Sequence, residues 1–325
     1  MSRTDVHNHV LPRAVIDLFA RDPVYRVEIS EKSWRGGHHP PFLIEDSFVE
    51  PDAKLAQLEQ KGMDAAVVSV IPPLFYTDLP LEPLVRLCAA VNEGLAAFQE
   101  AYPDRFHWLA QVPIGFPEHS ADALGAAVAA GAVGVEIPTR VGPRRLDEPA
   151  FEPFWSAVEE LDVPVLLHPF DNEAHPGLDD WYLQNVIGNQ LETTIAAERL
   201  ICAGVLDRHP RLRIVLVHGG GFFPYQAGRL RHARTVRPEL VEAPEDPWAY
   251  RGQLVIDTIT HDRSALAYAV SRMGLENVVL GTDLPFDMAT PEPMTALEQA
   301  VGAEPASTIA VDNPRRIFAL DRVQA

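Results

Sequence analysis

The chain reads as an α/β protein built as a single (β/α)8, TIM-like barrel. Three observations predict this. Eight short, apolar, β-branched runs recur along the 325 residues, helical periodicity fills most of the intervals between them, and polar residues gather where several runs end. Near-continuous apolar strands alternating with amphipathic helices mark a parallel sheet covered on both faces. Eight such strands suffice to close a barrel, an architecture that commonly exceeds roughly 200 residues as one unit. An open, doubly wound sheet is the alternative, and the first run lacks the Gly-x-Gly-x-x-Gly turn that would favour it. Residues 1–325 are therefore read as one domain.

The strands are expected at Thr4–Val10, Met63–Val70, Arg105–Pro113, Ala132–Pro138, Val163–Pro169, Arg213–His218, Gln253–Thr258 and Asn277–Asp283. Amphipathic helices are expected at Asp52–Lys61, Pro83–Ala101, His119–Ala130, Pro149–Leu161 and Thr193–Arg208. Two connections are too long for simple turns. Residues 12–51 form an insertion between the first strand and its first clear helix, and they carry Trp34-Arg35-Gly36-Gly37-His38-His39-Pro40-Pro41. Residues 170–190 follow the fifth strand and contain Trp181 and Tyr182. Long loops in a compact domain usually serve as lids or small subdomains, so both are expected over the barrel mouth.

Composition narrows the partners. A net charge of −19 argues against nucleic acid and against an anionic membrane surface. Cys88 and Cys202 lie far apart with no C-x-x-C spacing, which points to a reduced, cytoplasmic protein. No apolar run reaches the ~18 residues a membrane span requires, and the N-terminus shows no signal-peptide pattern.

Chemistry concentrates in Asp5-Val6-His7-Asn8-His9. Residues i and i+2 of a strand share a face, so His7 and His9 project together and can hold one metal ion. Taken singly, such histidines can equally pack or face solvent. Further donors fall at other strand ends: His168 on the fifth, His218 on the sixth and Asp283 on the eighth. Polar residues there face a common mouth, where active sites of this fold lie. His7, His9, His168 and Asp283 offer three nitrogens and a carboxylate and leave a coordination position open, as a catalytic site requires. His218 is then the natural general acid or base, a further ligand being the other reading. Strand four carries Glu136 and no lysine, which favours one metal over a lysine-bridged pair. Zinc, manganese and iron all accept these ligands, and no organic cofactor is called for.

These residues, with Gln60-Lys61-Gly62, Tyr102-Pro103-Asp104-Arg105-Phe106, His168-Pro169-Phe170-Asp171, Glu192-Thr193-Thr194-Ile195, His218-Gly219-Gly220-Gly221, Gly228-Arg229 and Gly281-Thr282-Asp283-Leu284-Pro285-Phe286, resemble the amidohydrolase superfamily over nearly the whole chain. The resemblance is to its branch around α-amino-β-carboxymuconate-ε-semialdehyde decarboxylase. It implies a barrel with one divalent metal, usually zinc and in some relatives manganese, held by His7, His9, His168 and Asp283, with proton transfer by His218. It also implies a homodimer and two arginines that grip substrate carboxylates. One, supplied by the neighbouring subunit, matches Arg229. The other should fall within residues 41–46, where Glu45 or Phe42 stands instead. An acidic residue there would repel a carboxylate, and Arg26 or Arg35 is the available substitute.

The expected activity is metal-dependent, non-oxidative decarboxylation of an unsaturated or aromatic carboxylic acid, such as a muconate-type acid. Phe170, Trp181, Tyr182 and Phe286 are candidate apolar walls, with Arg229 as the anion contact. A hydrolase or hydratase acting on a C–N, C–O or C–C bond is the alternative on the same scaffold.

Overall fold

A computed structural model describes residues 2–30, 32–36, 39–170 and 175–321, with the side chains of 39 and 40 excepted. Its centre is a parallel sheet of eight strands in sequential order: β1 (Thr4–Val10), β2 (Ala65–Val70), β3 (Phe106–Ala110), β4 (Gly134–Pro138), β5 (Val165–His168), β6 (Ile214–Leu216), β7 (Leu254–Asp257) and β8 (Val278–Val279). The segment following β8 returns to β1 through Val6 N–H to Leu280 O at 2.9 Å and His9 N–H to Leu284 O at 2.8 Å. That closure selects the barrel over the open doubly wound sheet.

Strand alternation builds the interior in layers. Val67, Leu109, Leu166, Val215, Val255 and Val279 point inward with Val6 and pack on Ile317 and Phe318 from the C-terminal segment. Two residues further along β2, β5, β7 and the eighth-strand segment stand Ser69, His168, Asp257 and Gly281, one layer nearer the mouth. On β1 the register shifts between Asp5 and Asn8. This bulge breaks the alternation, so Val6 joins the apolar layer while His7 and His9 both face the layer above it. The intervening outward residues, such as Ala66, Val68, Val165 and Leu167, pack beneath the helices.

Most helices sit where periodicity places them, but the stretch Thr193–Arg208 is divided. Helix Gln190–Cys202 stops before Gly204, whose φ of 67° turns the chain, and a separate turn follows at Val205–Arg208. Leu81–Ala101 buries Leu84, Leu87, Cys88, Val91, Leu95 and Phe98, one stripe at i, i+3, i+4 and i+7 spacing. Pro51 and Pro117 open Pro51–Gln60 and Pro117–Ala129 at first-turn positions that need no N–H donor. The Asp262 carboxylate caps Arg263–Met273 by accepting from Ser264 and Ala265 N–H. No helix among the described residues is long and apolar enough to cross a membrane.

Residues 12–51 hold more order than a bare loop. A helix at Arg13–Arg21 follows β1 directly, so the first clear helix is not the one at 51. The Arg13–Arg21 helix is short, nine residues within a forty-residue stretch, and Val15 and Phe19 bury one face. Next comes an antiparallel sheet of Val27–Ser30, Ser33–Gly36 and His39–Leu43, pinned by the fully buried Trp34. Gly37 and His38 lie outside the described residues, as do Asp171 to Ala174 in the connection after β5. The remainder of that connection ends in a short π-helical turn, Gln184–Asn189, which runs into helix Gln190–Cys202.

Candidate metal centre

Three imidazoles are pinned at one nitrogen and converge with the other. His7 Nδ1 lies 2.8 Å from Asp257 Oδ2, His9 Nδ1 lies 2.7 Å from Val70 O, and His168 Nδ1 lies 2.9 Å from Pro169 O. An oxygen acceptor at Nδ1 places the N–H there and leaves Nε2 as a lone pair in each neutral ring. Yet His7 Nε2 and His9 Nε2 stand 3.1 Å apart, and Asp283 Oδ1 is 3.1 Å from the second and 3.6 Å from the first. His168 Nε2 is buried with no hydrogen-bond partner among the described residues. Acceptors facing acceptors in a dry interior repel unless a cation lies among them. Their spacing matches the ~3.3 Å edge of a tetrahedral N/O shell at ordinary metal-ligand bond lengths. These residues therefore fit a divalent metal ion.

His218 belongs to the same cluster. One donor atom each from His7, His168, His218 and Asp283 lies within 4.8 Å of the others, and His218 Nε2 is 3.6 Å from Asp283 Oδ2. The rings of His7 and His218 are 5.2 Å apart, those of His168 and His218 5.1 Å. His218 does not close β6, which ends at Leu216. It sits two residues later in a left-handed turn (φ 56°, ψ 50°), followed by three glycines with φ of 66°, 78° and 61°. Side chains there would collide: a Cβ on Gly219 would meet Thr260 Cγ2 at 2.7 Å, on Gly220 Ile256 Cγ2 at 2.5 Å, and on Gly221 Gln190 O at 2.5 Å. The Gly-Gly-Gly run thus lets the backbone turn tightly against β7 and swing His218 over the mouth. Asp283 also lies beyond its strand, with φ of 66°.

Burial and charge set the protonation pattern without a metal. Burial opposes charge on His7, but the hydrogen bond to Asp257 and the charges of Asp283, Asp257 and Glu136 outweigh it, raising the pKa to about 9. Burial lowers His9, and burial with the charges of His7, His218 and His9 lowers His168 far below the usual imidazole value. Burial works against the Asp283 carboxylate, yet the neighbouring imidazoles of His218 and His9 and the charge of His7 hold it well below the usual range. A proton on His7 thus takes the place that a cation would fill.

Sequence reasoning missed the residues that hold these ligands. Asp257, at the end of β7, is wholly buried and accepts from His7 as well as from backbone N–H groups. Its signal was present, since it ends an apolar run just as His168 does. Lys54 is fully buried, donating to Asn8 Oδ1 and His9 O at 2.8 Å each. Asn8 Nδ2–H and Thr282 Oγ–H each donate to Asp5 Oδ2 at 2.6 Å, which ties β1 to the segment after β8. Burial pushes Lys54 down to about 7, against the charges of Asp5 and Glu45. Burial also lifts Asp5 to about 6. No sequence signal announced Lys54, one cation on an amphipathic helix. Glu136 is buried with no hydrogen bond of full geometry at either carboxyl oxygen among the described residues; burial raises it to about 8, against the charge of His7 and the nearby Ser69 hydroxyl and Val70 N–H.

The expected substrate contacts divide. Phe286 lies against His9 at 5.3 Å between ring centroids and meets Phe48 at 5.3 Å and Phe42 at 6.1 Å. The position read as Phe42 or Glu45 in place of an arginine therefore brings an aromatic ring towards the centre, while Glu45 is exposed. Phe170 is half-buried, 6.3 Å from Phe75, whose ring lies 6.4 Å from that of His168. A cavity of about 580 Å³ leads from His218 and Asp283 outward past Asn189, Thr260, Tyr225 and Tyr268. None of the five expected contacts, Phe170, Trp181, Tyr182, Arg229 and Phe286, lines it. Trp181 is 87% and Tyr182 57% exposed, and Arg229 is exposed on helix Phe223–Val236. Arg26 pairs with Asp78 at 2.6 Å, and Arg35 is exposed.

A barrel with an acceptor cluster at its mouth defines a class of metal-dependent enzymes, and the comparisons specify it. The chain belongs to the amidohydrolase family, which matches residues 4–320. It is 30% identical to a 2-amino-3-carboxymuconate-6-semialdehyde decarboxylase of Dictyostelium discoideum, covering 91% of this chain and 85% of that protein. It is 28% identical to a gamma-resorcylate decarboxylase of Rhizobium sp. strain MTP-10005, covering 83% and 87%. The fold superposes with a TM-score of 0.80 on a 5-carboxyvanillate decarboxylase of Novosphingobium aromaticivorans in complex with manganese, at 22% identity, covering 98% and 96%.

Proposed function

We propose that this protein is a metal-dependent, non-oxidative carboxy-lyase acting on an aromatic or muconate-type acid. The observation that carries this reading is the convergence of the His7, His9 and His168 Nε2 atoms on the Asp283 carboxylate, with His218 and Asp283 facing the cavity. Descent from a family whose curated relatives include decarboxylases of both substrate types supports it. His7, His9, His168 and Asp283 would hold the ion, which supplies a Lewis acid for the oxygens of the substrate. Zinc is the ion we assign first, since three imidazoles and a carboxylate suit it; manganese fits the same donors.

His218 does the proton work. Its Nδ1 is without a hydrogen-bond partner among the described residues, and the side chain lines the cavity. As the carbon–carbon bond breaks, its electron pair stays on the ring or vinylic carbon. His218 delivers the proton that replaces carbon dioxide there. Phe286 and Phe170 offer faces to a planar substrate. The insertion 12–51 and the segment 175–190 act as covers of the mouth, bearing Phe42 and Asn189 respectively. Exposed Arg229 reads as a contact offered to the cavity of a second subunit in a homodimer. Free Cys88 and Cys202 suit a reducing, cytoplasmic setting.

The test pairs metal analysis of the purified protein with carbon dioxide release from a panel of aromatic and muconate-type acids. About one ion per chain with carbon dioxide release is the expected result. Metal without carbon dioxide release would turn the assignment to hydrolysis or hydration, and no metal after reconstitution would overturn it.

A further inference from the structure

We infer that Asp257 is a positioning residue that fixes both halves of the site, the ligand His7 through its ring and the proton carrier His218 through its backbone. This rests on the metal-dependent reading above. The Asp257 carboxylate lies wholly inside the barrel and accepts four hydrogen bonds. Oδ2 takes His7 Nδ1–H at 2.8 Å and His218 N–H at 2.9 Å. Oδ1 takes Gly219 N–H at 2.7 Å and Ile259 N–H at 3.0 Å.

Each bond has a separate consequence. The bond to His7 fixes the ring's tautomer, so that Nε2 faces His9 and Asp283 as a lone pair. The bonds to His218 and Gly219 hold two consecutive residues in the left-handed region, where a side-chain-bearing residue such as His218 is strained and needs outside support. A carboxylate is required because all four donors are N–H groups. An amide would turn its own NH2 toward two of them and lose acceptors on that side. Gly281 lets the eighth-strand segment close on this carboxylate, since a Cβ there would meet His7 Cβ at 2.9 Å and Asp257 Cβ at 3.0 Å. One side chain thereby ties the ring of the ligand and the backbone of the proton carrier to the same carboxylate.

Asp257→Asn loaded with Co2+ is the direct test. Chelator competition should show the Co2+ dissociation constant rising about 10–100-fold, and the visible ligand-field bands should shift as His7 rotates. At saturating Co2+, carbon dioxide release should fall in kcat more than KM changes, because His218 is displaced. Wild-type affinity and wild-type bands in the variant would overturn the inference, whatever its activity. Should Asp257→Asn fail to fold, imidazole NMR of the wild-type Zn2+-loaded protein decides. A slowly exchanging His7 Nδ1–H with Nε2 on the metal supports the role, and metal on His7 Nδ1 refutes it. Failure of carbon dioxide release with intact Co2+ effects would count against the decarboxylase assignment and leave Asp257 in place.

Discussion

The floor of the barrel mouth and its rim differ in how their residues are held. On the floor, His7, His9 and His168 each have one ring nitrogen bonded to a buried oxygen, and Asp257 and Lys54 brace the strand ends from behind. On the rim, Trp181 and Arg229 are exposed, and Trp181 has a left-handed backbone on a connection rather than a strand. The floor is organised before anything binds, as electrostatic catalysis demands. The rim can change without disturbing the metal. Buried, hydrogen-bonded groups and exposed ones thus occupy different layers of the same barrel end.

The sharpest way to break this comparison is to separate ligand from proton carrier on the floor itself. Asp283→Ala should leave protein that loses its metal on purification, and carbon dioxide release should vanish with it. His218→Ala should keep about one metal per chain while turnover falls on the order of 10²- to 10⁴-fold. Elemental analysis beside a turnover assay reads both. Loss of metal in the His218 variant would make it a fifth ligand, a role its place within the 4.8 Å cluster permits.

A smaller effect should appear in metal-free protein as a pH dependence. Burial raises Glu136 from 4.5 to about 8. A carboxyl raised on folding contributes stability that is complete below its unfolded value and is lost as pH rises through the folded one. The window therefore runs from about pH 4.5 to 8. At 1.36 kcal/mol per unit, the upper bound is about 5 kcal/mol. His7, raised to about 9, adds a loss of the same sign at higher pH. Glu136→Gln should accordingly lose less melting temperature between pH 5 and pH 8 than wild type, and added metal should shrink the difference by favouring the charged carboxylate. Parallel pH curves for the two proteins would show that Glu136 finds a partner in solution.

Much of this floor was legible in the chain. Strand periodicity and length located all eight barrel strands, and the rule that strand ends share a mouth gathered five donors across 276 positions, from His7 to Asp283. What escaped notice was support rather than chemistry. Lys54 and Asp5 become meaningful through contacts that only closure of β1 on the eighth-strand segment creates. The helix Arg13–Arg21 was hidden inside what read as a long loop. His218 and Asp283 were placed at strand ends when both sit in left-handed turns beyond them, because backbone hand is not written in an apolar run. The rim was least legible. Aromatic residues in a long loop suggest walls, but loop conformation decides whether a ring faces the cavity or the solvent.

The smallest expected effects lie on that rim and sharpen the contrast. Phe286→Ala removes a half-buried ring packed on His9, Phe48 and Phe42, so stability should fall by on the order of 2 kcal/mol, and KM for an aromatic acid should rise. Trp181→Ala and Arg229→Ala should each change stability by less than about 0.5 kcal/mol, because neither side chain is buried. Any effect of these two must then come from substrate or from a second subunit. If Arg229 reaches a neighbouring cavity, its loss should raise KM without changing kcat or the melting temperature, and diluting wild type below the dimer's dissociation constant should reproduce that rise. A KM indifferent to both the substitution and dilution would leave Arg229 a solvated surface charge and assign recognition of the substrate carboxylate to the metal floor alone.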